Sequence, residues 1–324
     1  MTLFTLSELE STLPLVREMV PPTPQYAWPL LARRAGCELW VKHENHTPTG
    51  AFKIRGGLVY MHELKAARPD VTGVISATRG NHGQSIALAA RRAGLDAVIV
   101  VPHGNSVEKN AAMEAFGAEL IVHGRDFDEA RVYAAEIAEQ RGLHFVPSFH
   151  PHLVRGVATY ALELFQAVGD LDVVYVPVGM GSGICGVMSV RDLLGLGTEV
   201  VGVVAEQAPA VKMSIDAGHL VSTPSARTFA DGMACRDPHP DAVELIRAGA
   251  GRVVQLGEEE IAEAIRIYFS ETHNVAEGAG AAALAAVLSE SDRLRGKKAA
   301  VILSGGNIDR DVFLEVLNGR TPSA

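Results

Sequence analysis

Short β-branched, almost wholly apolar runs alternate along this chain with longer stretches of helical period. The runs are Val71–Ser76, Ala97–Val101, Glu119–Val122, Asp172–Val178, Glu199–Ala205 and Ala299–Leu303. Between them, Asn81–Ala93, Val107–Phe116, Phe127–Gln140, Leu153–Val168 and Ile261–Glu271 set Ala, Leu and Ile on one face and charge on the other. A strand without alternation is buried on both faces, and successive buried strands joined by helices form parallel sheets with helices on either side. His150-Pro151-His152 and a long helix separate the runs into groups over about 71–146 and 172–303, so the pattern predicts two sheets rather than one very wide one.

In such sheets ligands bind beyond the carboxyl ends of the strands, so the turns there are the candidate sites. Val71–Ser76 is followed by Ala77-Thr78-Arg79-Gly80-Asn81-His82-Gly83-Gln84, a polar turn that opens a helix. Asp172–Val178 is followed by Gly179-Met180-Gly181-Ser182-Gly183-Ile184-Cys185-Gly186, where converging backbone N–H groups at a helix start suit an anion. Ala299–Leu303 runs into Ser304-Gly305-Gly306-Asn307, and a separate segment, Gly50-Ala51-Phe52-Lys53-Ile54-Arg55-Gly56-Gly57, sets a lysine beside an aromatic ring between glycine-containing turns.

Composition narrows the functions these turns can serve. The chain has 324 residues, with 29 Lys plus Arg against 38 Asp plus Glu and a net charge of −9, so there is no basic field for nucleic acid. No apolar stretch approaches the roughly 20 residues of a membrane span. The segment Met1–Leu13 has no basic region ahead of an apolar run and carries Glu8 and Glu10, unlike a secretory signal. Cys37, Cys185 and Cys235, odd in number and far apart, suit free thiols in a reducing compartment. The expectation is a cytoplasmic protein that binds neither nucleic acid nor membrane.

Each local signal also has a plainer reading: a lysine is commonly a solvated charge, and a glycine turn is commonly tight packing. Gly181-x-Gly183-x-x-Gly186 matches the dinucleotide fingerprint, with Glu206 about 20 residues beyond it where a ribose-binding acid would sit, so an NAD-dependent oxidoreductase stands as a rival. His43 and His46 lack the spacing of a zinc-protease helix and read as structural, and nothing near Cys185 lowers a thiol pKa.

The combination resembles the fold-type-II pyridoxal-phosphate enzymes, in the serine/threonine dehydratase and serine racemase branch, from about Pro22 to Asp309. Gly50-Ala51-Phe52-Lys53-Ile54-Arg55-Gly56 is similar to that family's Ser-Phe-Lys-x-Arg-Gly, and Gly80-Asn81-His82 to its Gly-Asn-His turn. Glu277-Gly278-Ala279-Gly280 and Ser304-Gly305-Gly306-Asn307 are similar to its two late motifs. The resemblance implies a tryptophan synthase β-like α/β fold of two doubly wound parallel-sheet domains with pyridoxal 5'-phosphate between them. Residues 1–50 with 151–324 would form the large domain and 51–150 the small, in a homodimer or homotetramer.

It further implies that Lys53, beside Phe52, holds the cofactor covalently and moves the Cα proton, and that Gly179, Met180, Gly181, Ser182 and Gly183 hold the phosphate. Asn81 would meet the ring hydroxyl, Glu277 would line the cofactor, and Ser304 would face the ring nitrogen. Thr78, Arg79, Asn81 and His82 would border the substrate, its carboxylate at the helix start. A Ser rather than an Asp at the ring nitrogen withdraws fewer electrons, which favours rapid loss of a β-substituent. The expected reaction is β-elimination from L-threonine or L-serine to a 2-oxo acid and ammonia. Bulkier or acidic 3-hydroxy amino acids, such as 3-phenylserine, 3-hydroxyaspartate or a hydroxyectoine-derived compound, and amino-acid racemisation are the alternatives.

Three departures refine this. Arg79 replaces the racemase's serine, and a guanidinium is no proton shuttle near neutral pH, which disfavours racemisation. Lys212 stands where metal-binding members carry a carboxylate, which predicts no bound metal and a pairing of Lys212 with Glu206. Met180 interrupts the glycines, a strain only if its φ is positive. The short stretch after Ser304 leaves no room for a regulatory domain, so no isoleucine feedback is expected.

Overall fold

In the computed structural model, residues 3–323 are described; Met1 and Thr2, the start of the segment read against a secretory signal, and Ala324 lie outside them. The strands are β1 (Gln25–Ala27), β2 (Glu38–His43), β3 (Gly73–Ala77), β4 (Asp96–Val101), β5 (Glu119–Val122), β6 (His144–Phe145), β7 (Val173–Pro177), β8 (Glu199–Ala205), β9 (Arg252–Leu256) and β10 (Lys298–Leu303). They form a six-stranded sheet in the order β1-β2-β10-β7-β8-β9 and a four-stranded sheet in the order β5-β4-β3-β6. All pairings are parallel except β1 with β2, an antiparallel edge that the sequence pattern does not reveal. The α/β class and the parallel sheets agree with the sequence reading.

Both sheets are covered on both faces. Tyr175, Val201, Val203 and Val301 face one apolar cluster with the helix Gly278–Ser289, whereas Val174, Val176, Val200 and Ile302 face another with the helices Pro151–Ala167 and Ser182–Leu193. That two-sided burial is why these strands read as continuous apolar runs. The core of the smaller sheet also takes Val16 and Val20 from the N-terminal segment.

The segment around Lys53 differs from its reading as a pair of glycine turns. Lys53 is the first residue of a helix, Lys53–Ala67, that runs straight through Gly56 and Gly57. Glycine weakens a helix, but here it permits a crossing. A Cβ on Gly56 would come within 2.7 Å of the Leu153 carbonyl oxygen, and one on Gly156 would strike the Arg55 carbonyl. The two helices thus touch backbone to backbone.

A buried ion cluster ties the same helix to the larger sheet. Arg55, without exposure, donates to Glu44 (Nε to Oε2, 2.8 Å) and to Glu163 (Nη1 to Oε1, 2.8 Å), and Lys42 Nζ reaches Glu163 Oε2 at 2.7 Å. Two cations against two carboxylates leave no uncompensated charge.

Candidate active site

The strand ends β3, β7 and β10 converge on a cavity of about 580 Å³ lined from both sheets. Lys53 lines it together with Phe52, Thr78, Arg79, Gly80, Asn81, His82, Gly179, Met180, Gly181, Ser182, Gly183, Glu277 and Ser304. The structure therefore brings together every site residue expected from the sequence, from segments more than two hundred residues apart.

Lys53 is fixed by its neighbours rather than by charge. The Phe52 N–H donates to the Ser304 carbonyl (3.0 Å), the Gly306 N–H to the Gly50 carbonyl (2.9 Å), and Asn307 Nδ2 to the Thr49 carbonyl (2.7 Å). These bonds dock the start of the lysine helix on the turn after β10. Lys53 Nζ donates to Ser182 Oγ at 2.9 Å and lies 4.9 Å from the centre of the Phe52 ring. Burial without a carboxylate partner pushes its pKa down to about 8. Such an amine gives up its proton far more readily than an exposed lysine, so near neutral pH a minor but useful fraction is free to act as a nucleophile or base.

Facing it, Gly181 precedes the helix Ser182–Leu193 in a left-handed conformation with φ of 94°. The backbone N–H groups of Met180 through Gly183 meet no acceptor among the described residues, and they sit at a helix start where an anion is favoured. Met180 has no positive φ, so its side chain adds no strain.

On the opposite wall, Asn81 opens the helix Asn81–Arg92. Its Nδ2 donates to Glu277 Oε1 at 2.5 Å and its Oδ1 accepts from Asn307 Nδ2 at 2.8 Å. Thr78 Oγ1 accepts from the Gly80 N–H at 3.0 Å. His82 is buried with Nε2 unpartnered, and burial together with the Lys53 ammonium pushes its pKa down to about 3, so the ring is neutral. Ser304, 4% exposed, caps β10 at the cavity floor.

Sequence reasoning missed the charges on that wall. Lys109, 7% exposed, lies 3.2 Å from Asp231 and 3.3 Å from Glu277. Burial raises the pKa of Glu277, against the opposing pull of Lys109 and Asn81. Lys109 sits in an amphipathic helix and reads as a solvated lysine, and Asp231 opens a single 3-10 turn, Asp231–Met233, too short to carry a periodic signal; Asp231-Gly232 offers only a turn signal. Arg236, joined to Asp126 (3.4 Å) and Asp128 (2.7 Å), bridges the two walls at the mouth and was also missed.

Lys212 pairs with Asp216 one helical turn on, at 2.7 Å, and not with Glu206; the nearer partner on its own helix wins because it needs no backbone rearrangement. His43 is buried and accepts from Trp28 Nε1 (3.0 Å), a structural role, and burial pushes the Cys185 thiol up to about 12.

A buried lysine, a cradle of unsatisfied N–H groups and a serine at the floor suit an aldehyde, a phosphate and a pyridine ring respectively. The donor set therefore fits pyridoxal phosphate, with Lys53, residues 179–183 and Ser304 placed to hold it.

Comparison with known proteins agrees. The pattern of the family "Pyridoxal-phosphate dependent enzyme" matches residues 16–305. The L-threonine ammonia-lyase of Thermotoga maritima is 36% identical over 98% of this chain and 79% of its own length. The biosynthetic L-threonine dehydratase of Escherichia coli is 35% identical over 91% of this chain but only 58% of its own length. The processed form of threonine deaminase isoform 2 from Solanum lycopersicum superposes with a TM-score of 0.87 at 29% identity, covering 97% of this chain and 94% of that one. The NAD reading of the Gly181 turn falls with the family match, whose cofactor is pyridoxal phosphate. The chain belongs to the family of pyridoxal-phosphate-dependent enzymes of fold type II, with threonine ammonia-lyases among its relatives.

Proposed function

We propose that this enzyme eliminates water from a 3-hydroxy amino acid of the threonine and serine type, and that hydrolysis of the released enamine takes up one water and frees ammonia, giving a 2-oxo acid. The observation that carries the reading is the Lys53 amine, buried without a carboxylate, 2.9 Å from Ser182 and with a pKa near 8. Bound pyridoxal phosphate supplies the electron-withdrawing ring that weakens the Cα–H bond. Lys53 would take the Cα proton, the backbone of residues 179–183 would hold the phosphate, and the Ser304 hydroxyl would be the partner of the ring nitrogen. The substrate carboxylate lies at the start of the helix Asn81–Arg92, beside Thr78 and the His82 backbone. Arg79, which cannot relay a proton at neutral pH, disfavours racemisation.

Residues 1–50 with 151–324 and residues 51–150 are the two domains in this reading. Self-association as a dimer or tetramer is supported by Tyr26, Leu30, Phe269 and Leu314, large apolar side chains left exposed. A cytoplasmic location is supported by three unpaired, buried cysteines. No described helix is long and apolar enough to cross a membrane.

The test is a panel of 3-hydroxy amino acids scored for 2-oxo acid and ammonia. Borohydride treatment of the yellow protein, followed by peptide mass mapping, should leave a pyridoxyl group on Lys53. A colourless protein, or one that releases neither product from any member of the panel, would overturn the reading.

A further inference from the structure

Resting on that reading, we infer that the preferred substrate carries a second carboxylate, beyond Cβ, received by Arg79 with help from Arg227. The inference comes from the pairing of charges around the cavity. Lys109 is held by Asp231 and Glu277, Arg236 by Asp126, Asp128 and Asp237, and Arg125 by Glu129. Lys53 is assigned to the cofactor. Two lining cations remain.

Arg227 meets no carboxylate within ion-pair distance among the described residues. Arg79 comes only to 3.9 Å from Asp231, beyond hydrogen-bond reach, and that carboxylate is already engaged by Lys109 at 3.2 Å. Arg79 Nε is moreover buried without any partner, although the side chain as a whole is 35% exposed toward the cavity. A guanidinium is built to bind a carboxylate through two parallel N–H groups, and one left unpaired at a buried atom costs free energy until an acceptor arrives.

The α-carboxylate does not fill this role, because its place is already made by Thr78, Asn81 and the helix start, without net charge. Arg79 lies within that turn, between Thr78 and Asn81, so the anion it can reach belongs to the same small molecule, a few bonds from Cα. Arg79 is partly offset by Asp231, so the wall has room for one added negative charge; a carboxylate matches this better than a dianionic phosphate. The reaction with 3-hydroxyaspartate then balances. The Cα–H and Cβ–O bonds break, water leaves, and hydrolysis of the released enamine returns one water and frees ammonia, giving 2-oxosuccinate. No oxidant or reductant enters.

The holoenzyme, Arg79→Gln and Arg227→Gln are assayed with L-threonine, 3-hydroxyaspartate and O-phosphoserine, and equilibrium binding of succinate is compared with that of butyrate. Arg227 is exposed, so its variant folds even if Arg79→Gln does not. We expect kcat/KM for 3-hydroxyaspartate at least about tenfold above threonine, succinate bound at least about tenfold more tightly than butyrate, and both ratios cut by about tenfold in Arg79→Gln and about threefold in Arg227→Gln. Threonine equal to or better than 3-hydroxyaspartate would overturn the inference and leave the elimination reading intact. Equal losses on both substrates in Arg79→Gln would assign this arginine to the α-carboxylate and also overturn it, and preference for O-phosphoserine would overturn the choice of carboxylate. If no substrate yields a 2-oxo acid, the elimination reading fails, and the succinate to butyrate ratio still decides the anion site.

Discussion

Lys53 Nζ donates to Ser182 Oγ across 2.9 Å, joining the first residue of one helix to the first residue of another that belongs to a different sheet's layer. The hydroxyl also sits in the anion cradle. Ser182→Ala should therefore weaken pyridoxal-phosphate binding by roughly five- to thirtyfold, about 1–2 kcal/mol for one lost hydrogen bond. Absorbance titration of the cofactor-free protein measures this. An unchanged affinity would mean that backbone N–H groups alone hold the phosphate.

Desolvation lowers the Lys53 pKa to about 8, and this makes a pH prediction. In cofactor-free protein, reaction of Lys53 with an amine-directed acylating reagent should rise with pH around a midpoint near 8, well below that of surface lysines. The folded protein binds fewer protons at Lys53 than the unfolded chain between this value and the ordinary 10.5. Its contribution to stability consequently increases with pH across that window. Peptide-resolved labelling rates decide the point; a midpoint near 10 for Lys53 would contradict it.

The Arg55 cluster anchors the lysine helix without touching the cavity. Glu163→Gln leaves Arg55 and Lys42 short of a buried counter-charge, which should cost about 3–5 kcal/mol. Denaturant unfolding of the holoenzyme measures the loss. A change below about 1 kcal/mol would show that water or a neighbouring group replaces the carboxylate.

Lys109 should control the ionisation of Glu277. Burial already raises that carboxyl, and the ammonium 3.3 Å away opposes the rise. Removing the ammonium in Lys109→Met lifts it further, so the acid limb of the kcat/KM profile should move to higher pH. A profile superimposable on the parent's would place Glu277 outside the titrations that limit the rate.

What was legible in the sequence follows from how local each signal is. Strands buried on both faces announce themselves as apolar runs, and Glu119–Val122 and Glu199–Ala205 match β5 and β8 residue for residue. β9 escaped because it is a half-buried edge carrying Arg252 and Gln255. Gly56 and Gly57 hide the lysine helix: Gly56 makes room for the backbone at Leu153, far away in sequence, and Gly57 for Ser85 and Ala89 of the helix Asn81–Arg92. The glycine cradle, Asn81 and Ser304 stood out because each ends a strand, whereas Lys109 and Asp231 acquire meaning only from each other. Lys212 shows the same limit from the other side: likeness to the metal-binding members points to Glu206 as its partner, and the actual one, Asp216, lies a single helical turn away.

The docking of residues 50–52 on the turn after β10 has a consequence for the order of assembly during synthesis. β10 is the strand that lies between β2 and β7. Until residues 298–303 have left the ribosome, the larger sheet is two fragments, and the start of the lysine helix lacks its seat on the turn after β10, although the rest of that helix can already pack on Pro151–Ala167. The smaller sheet, whose strands all fall within residues 73–145, can form early. The binding centre is thus completed by one of the last strands to emerge, through contacts of very long sequence separation that are slow to form. Before that strand is in place the cavity has no floor at Ser304, so the order of synthesis puts cofactor capture after, not before, closure of the larger sheet.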